Sequence, residues 1–233
     1  MNNFVSKKRR QVKHAFNSFT DYWLTDASFA VLLLILIFTV FVLPILIEYG
    51  HVNAVFVNTV FLFLFFTGIW SSRYKLLVVL TTVLFVTQLG LRILRFSEYD
   101  FEFYFAERIV GVLNMMVFIF LNIRLLFRNH EVNFYRIIGA INVYLLVAIL
   151  GAFLFEIVYL STGTGIGGKL VLEGLDKDFA LYIYFSLVSL TTVGFGDLYP
   201  IQIISKMLSV FLSTIGILYP AVVIARLVSA GRS

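Results

Sequence analysis

Residues 191–197 read Thr191-Thr192-Val193-Gly194-Phe195-Gly196-Asp197, and how this stretch is read decides how the rest of the chain is arranged. From Thr192 to Gly196, glycines alternate with residues that carry side chains. Glycine reaches positive φ at little cost, so such a strip can turn successive backbone carbonyls to one side. Four strips around an axis would replace the water shell of a dehydrated cation with rings of oxygen. The plainer reading is a turn, with Gly194-Phe195-Gly196-Asp197 merely linking two apolar segments.

The surroundings of the strip are those of a membrane protein. The chain has 233 residues, 61% of them hydrophobic and 17% aromatic, with mean hydropathy +0.97. Soluble domains are about 45–50% apolar. With no cysteine in the sequence, disulfides, thiolate metal sites and cysteine nucleophiles are excluded. His14, His51 and His130 are scattered near the expected membrane boundaries and read as interfacial side chains rather than ligands. A net charge of +5, spread along the chain, suits basic cytoplasmic faces and does not suggest nucleic acid.

Apolar runs fit for crossing a bilayer, which takes about 17–25 residues, lie at Phe29–Ile47, Val55–Trp70, Leu76–Leu94, Ile109–Leu126, Ile137–Leu160 and Ile203–Val228. The first starts too far in, and is too long, for a secretory signal. The run Asp178–Leu190 is too short to cross and is expected to form a re-entrant half-helix, N-capped by Asp176 or Asp178. Its end delivers the chain into Thr191–Asp197 at membrane depth. There irregular backbone is tolerated only when buried in protein or lining a water-filled cavity.

Charge sets the orientation. With the N-terminus inside, the inner segments hold twelve Lys and Arg and the outer ones six, which fits six spans with both termini cytoplasmic. The third-to-fourth loop, with Glu98, Asp100, Glu102 and Glu107, is acidic and falls outside. The expected organisation is an interfacial N-terminal segment (1–28), a four-helix bundle (29–128) and a pore module (129–233). Phe16, Phe19, Tyr22 and Trp23, following Lys7, Lys8, Arg9, Arg10 and Lys13, suit a helix lying on the inner leaflet. No further domain is expected after the sixth span.

Thr192-Val193-Gly194-Phe195-Gly196-Asp197 resembles the selectivity-filter signature of the potassium-channel superfamily. The resemblance covers residues 137–229 and fades over 1–136. It implies an all-α membrane protein of six transmembrane helices, with a re-entrant pore helix and filter between the fifth and sixth. It also implies K+ ions bound at Thr192, Val193, Gly194, Phe195 and Gly196. One strip per chain cannot enclose a pore, so a homotetramer is expected. The family pattern places Asp197 at the outer mouth, with Thr191 beside the filter and Tyr184 as the aromatic donor to Asp197. It makes Gly216 the hinge of the inner helix. Phe195 stands where tyrosine is commoner, and Val188 where some relatives carry glutamate; both remove polar braces around the filter.

Further residues are read from the chain itself. Pro220 lacks the amide hydrogen that would bond the carbonyl of Gly216, so kink and hinge coincide there. Gly216 can instead serve close helix packing. Glu156 is the one acid expected inside a span, where a carboxylate is costly and usually functional or paired. It is expected to cap amides of the loop after the filter or to reach the outer interface. The fourth span, Ile109–Ile123, carries no charge, only Asn114 and Asn122. Arg108 and Arg124 are taken as interface anchors, and Arg92 and Arg95 as held by Glu98 and Asp100.

The expected function is a passive, potassium-selective channel in a plasma membrane, bacterial in style, weakly voltage-dependent and not an enzyme. It needs no cofactor beyond permeant K+ and has membrane lipids as its other partners. Two alternatives stand beside it. Gly194-x-Gly196-Asp197 also resembles the motif of presenilin-type intramembrane aspartyl proteases, which need two carboxylates within the membrane. Of the six aspartates (Asp21, Asp26, Asp100, Asp176, Asp178, Asp197), none lies mid-span. The other alternative, a non-conducting channel-like subunit, would not need an intact filter.

Overall fold

The computed structural model describes residues 28–70, 75–95, 101–127, 134–169 and 172–230. The N-terminal interfacial segment, together with Glu98 and Asp100, lies outside the described residues. The first helix, α1, runs Ser28–Ile37, passes through a π-helical turn Phe38–Val42 and resumes as Leu43–Glu48. Pro44 explains the wide turn. It has no amide hydrogen to give, and the ladder loosens just before it, with the Leu43 N–H bonding Phe38 O five residues back. Next come α2 (Ala54–Trp70), α3 (Lys75–Arg95), α4 (Phe101–Leu126) and α5 (Phe134–Thr162). After α5 the chain forms strand β1 (Ile166–Gly168), a 3-10 turn (Leu175–Asp178), helix α6 (Phe179–Leu190), strand β2 (Leu198–Pro200) and helix α7 (Ile203–Ala230).

Among the described residues five helical stretches are long and apolar enough to cross a membrane: Phe29–Glu48, Leu76–Arg95, Phe103–Leu126, Phe134–Thr162 and Ile203–Arg226. Helix α2, at 17 residues, covers the second apolar run, Val55–Trp70, and is the shorter helix beside these five. The fourth span differs from expectation. Its helix begins at Phe101 rather than Ile109, so Glu107 and Arg108 lie inside it and not in an exposed loop. Tyr104, Glu107 and Arg108 follow an i, i+3, i+4 spacing and so share one helical face.

Helix α5 is the packing axis, touching α1, α4, α6 and α7. Its small residues permit this, because backbones approach closely where side chains are short. A Cβ on Gly151 would stand 2.3 Å from Ser186 Oγ, and one on Gly139 would stand 2.9 Å from the Phe29 ring. Leu146, Ile149, Ala152, Phe153 and Phe155 of α5 are fully buried in the main core. Helix α7 contrasts with it: Met207, Val210, Phe211, Ile217, Leu218 and Val222 are exposed apolar side chains, as suits a helix facing lipid or another subunit.

Two short strands were not anticipated. β1 and β2 pair antiparallel, with Ile166 opposite Pro200 and Gly168 opposite Leu198. The Ile201 N–H adds a bond to Gly165 O at 3.1 Å. The loop after α5 is thereby tied to the segment leaving residue 197. Gly168 is required there, since a Cβ would stand 2.3 Å from Asp197 O at a φ of +142°.

Candidate functional site

Helix α6 ends in a Schellman motif, with the Thr192 N–H bonding Ser189 O at 3.1 Å and the Val193 N–H bonding Val188 O at 3.2 Å. That motif needs its first non-helical residue in the left-handed region, normally glycine. Here it is Thr192, at φ +59°, alone among described non-glycine residues in having positive φ. A β-branched residue in that conformation is strained, and such strain persists only where the surroundings impose it.

The strip continues the alternation. Gly194 has φ +57° and Gly196 φ +82°, while Val193 and Phe195 do not reach positive φ. Positive φ thus recurs at every second residue from Thr192 to Gly196, the backbone pattern that lets consecutive carbonyls share a direction. All of Thr191–Asp197 is exposed in the single chain, Phe195 to 72% and Val193 to 52%. Thr191 turns its hydroxyl back to Leu187 O at 2.7 Å, away from any role in the strip itself.

Around the strip, Tyr184 donates its hydroxyl to Asp197 Oδ2 at 2.6 Å. That bond holds the Asp197 carboxyl below the usual carboxylate range. On the same helix Tyr182 is buried, and Phe185 packs against Phe155 with ring centroids 4.7 Å apart. Ser186 Oγ bonds Ala148 O at 2.7 Å, and Ser213 Oγ bonds Ser189 O at 2.7 Å, so α6 is pinned to α5 and to α7. Gly216 meets the end of α6 directly: a Cβ there would lie 1.6 Å from Leu190 O. The close-packing role of Gly216 is therefore visible in the structure. Pro220 sits within α7, as its sequence position implies.

Glu156 is placed differently from expectation. It is 3% exposed, and its Oε2 meets Arg108 Nε at 2.7 Å, while Oε1 accepts the Tyr104 hydroxyl. It caps no amide of the loop after the strip; that loop is bonded by the β1 segment instead. Arg108 is no interface anchor either, being 2% exposed and stacked against the rings of Tyr104 and Phe153 at 4.9 Å each.

These residues belong to a buried cluster that sequence reasoning missed. Arg108 Nη2 lies 2.8 Å from Asp176 Oδ1, and Arg95 also pairs with Asp176. Arg92 Nε donates to Glu107 Oε1 at 2.8 Å, and Arg95 Nη1 stands 3.2 Å from Glu107 Oε2. Among the described residues, Arg92 thus pairs with Glu107, and Arg95 with Glu107 and Asp176; Glu98 and Asp100, the acids expected to hold them, lie outside the described residues. Burial pushes the Asp176 carboxyl up, but Arg108 and Arg95 outweigh it and hold the group below its ordinary range. Asp178 occupies the N-cap position of α6 without capping it. Its carboxylate turns back to the N–H groups of Glu173 and Gly174, at 2.8 and 3.0 Å. Burial raises the Asp178 carboxyl despite those bonds.

Residues 137–233 match the protein-family model described as ion channel. Over that stretch the chain is similar to ion channels. The match points to a membrane-embedded, non-enzymatic protein that passes ions. No curated protein and no solved structure matches the chain. Among the described residues nothing favours proteolysis: Asp197 is bonded to Tyr184 and Asp176 is committed to arginines.

Proposed function

We propose that four copies of this chain assemble a potassium-selective pore in a plasma membrane, with both termini cytoplasmic. Thr192, Val193, Gly194, Phe195 and Gly196 line it with carbonyls, and the Thr192 hydroxyl adds a ligand at the cavity end. One observation carries the reading: positive φ at Thr192, Gly194 and Gly196, alternating with side-chain-bearing residues, in a strip left exposed by its own chain. A strip of carbonyls needs symmetric neighbours before it can replace a cation's water. The exposed apolar face of α7 supplies surface for those neighbours.

Helix α6 serves this function as the pore helix, its negative C-terminal end directed at the cavity beneath the filter and favouring a cation there. The Tyr184–Asp197 bond fixes the outer end of the strip, and the β1–β2 pair holds the segment that leaves it. With no hydroxyl on Phe195, the Tyr184–Asp197 bond serves as the polar brace behind the outer mouth.

The test is potassium-driven flux into vesicles holding the purified chain. Uptake that barium blocks and that sodium gradients do not drive supports the reading. Uptake driven equally by sodium, or none in a preparation shown to be tetrameric, would overturn it.

A further inference from the structure

Asp176 lies in the 3-10 turn Leu175–Asp178, which runs directly into α6. One carboxylate there gathers three helices. Its Oδ1 meets Arg108 of α4 at 2.8 Å. Its Oδ2 accepts from Asn58 Nδ2 of α2 at 2.9 Å and from Arg95 of α3. Arg108 is itself a fork, since its Nε reaches Glu156 of α5 at 2.7 Å. The cluster of Arg92, Arg95 and Arg108 with Glu107, Glu156 and Asp176 is charge-balanced, and every member is at least nine-tenths shielded in its side chain.

A buried ion pair is poor evidence for stability, because desolvation offsets most of its attraction. Its stronger property is directional: a guanidinium bridging two carboxylates admits few geometries. The apolar contacts at the same place, such as Phe61 with Phe179 at 4.9 Å between ring centroids, allow sliding that the fork does not. The strip at the other end of α6 needs such control. Thr192 holds a strained conformation, which relaxes unless its surroundings impose it. Between the two ends runs a single helix of 12 residues, about 18 Å long at 1.5 Å per residue. It is pinned to α5 through Ser186 and bonded through Tyr184 to Asp197.

We infer that Asp176 is a positioning residue for the carbonyl strip, through which the four-helix bundle holds the entry turn of α6 and so sets the strip's conformation. The inference rests on the pore reading above. It gives the bundle a role that requires no moving charge: α2, α3 and α4 act on the pore from its outer side, through the arginine fork, in addition to any action on α7. Asp176 touches no permeant ion, so its loss should alter how often the pore conducts and not which ion it passes.

The experiment compares full-length, reconstituted Asp176→Asn, Arg95→Gln, their double variant and Asn58→Ala with the parent chain. One readout is amide hydrogen exchange across residues 179–190, and the other is single-channel open probability and unitary conductance. The expected result is exchange about tenfold faster in α6 and open probability changed about fivefold in Asp176→Asn, as expected for coupled neighbours. Unitary conductance and potassium selectivity stay at parent values. The double variant should fall short of the product of the two single effects, since both remove the Arg95–Asp176 pair. Parent-like exchange and open probability in folded Asp176→Asn, or fully multiplicative effects in the double, would overturn the inference. Should Asp176→Asn fail to fold, Asn58→Ala decides on the same readouts, because it leaves every charge paired. A parent chain that passes no ions sinks the pore reading alone, since the exchange measurement still judges the clamp.

Discussion

At the scale of the residue, two backbone positions and one hydroxyl bond carry most of the chemistry. Gly194 sits at φ +57° with open space where a Cβ would go, so Gly194→Ala meets conformational strain and no clash. Left-handed backbone costs a side-chain-bearing residue about 1–2 kcal/mol, enough to turn a carbonyl away without dismantling the fold. We expect tetramers of normal melting temperature with potassium selectivity lost, checked by size and by ion flux on the same sample. Gly216 is the opposite case. A Cβ placed 1.6 Å from Leu190 O cannot be accommodated, so Gly216→Ala should displace α7 from α6 and lower the melting temperature sharply. The Tyr184–Asp197 bond makes a pH prediction. It depresses the Asp197 carboxyl, so its contribution is fully present above the ordinary aspartate value of about 3.9. That contribution is lost as pH falls through the lower folded value. External acid should therefore inhibit only below the ordinary range. In Tyr184→Phe the midpoint of acid inhibition should move up, measured as current against outer pH; an unmoved midpoint would show that the bond does not govern the mouth.

At the scale of the element, legibility followed locality. The short helix α6 and the strip after it were readable because their signals are short-range: a six-residue motif with a 12-residue apolar helix before it. The same locality explains the omissions. Strands of three residues, one of them Ile166-Gly167-Gly168, have no alternation to detect. The start of α4 was hidden because Phe101–Arg108 mixes aromatic, acidic and basic residues, which hydropathy reads as loop although Tyr104, Glu107 and Arg108 share one face. Only the spacing of Arg92 and Arg95 ahead of Glu107 and Arg108 hinted at a cluster. Asp176, which Arg95 and Arg108 share, is 68 residues or more away in sequence, beyond any pattern. For α7, Pro220→Ala restores a donor toward Gly216 O, removing a defect that costs about 3 kcal/mol in an ordinary helix. Altered open probability with unaltered selectivity is expected. Identical open probability across lipids and pH would remove the kink from gating and leave Gly216 with its packing role.

At the scale of the whole molecule, helices α2, α3 and α4 meet α5 and the entry turn of α6 at the buried cluster, and this bears on voltage. Steep voltage gating moves several charges per subunit, each worth about 2.3 kcal/mol per 100 mV. Between Arg108 and Arg124, helix α4 carries none. Arg92, Arg95 and Arg108 are not loose interfacial charges but are locked to Glu107, Glu156 and Asp176. Pulling one out leaves a buried carboxylate uncompensated, a loss of about 3–5 kcal/mol. Tail-current activation curves should accordingly be shallow. A steep curve abolished by neutralising Arg92 and Arg95 together would show that these arginines move. The central claim, a potassium-selective pore built on Thr192–Gly196, is met most directly by the reversal potential of the reconstituted chain with potassium on one side and sodium on the other. The account predicts a reversal potential set by the potassium gradient in the parent chain and collapsed toward zero in Gly194→Ala. A parent reversal potential near zero, or one that Gly194→Ala leaves unchanged, would contradict it.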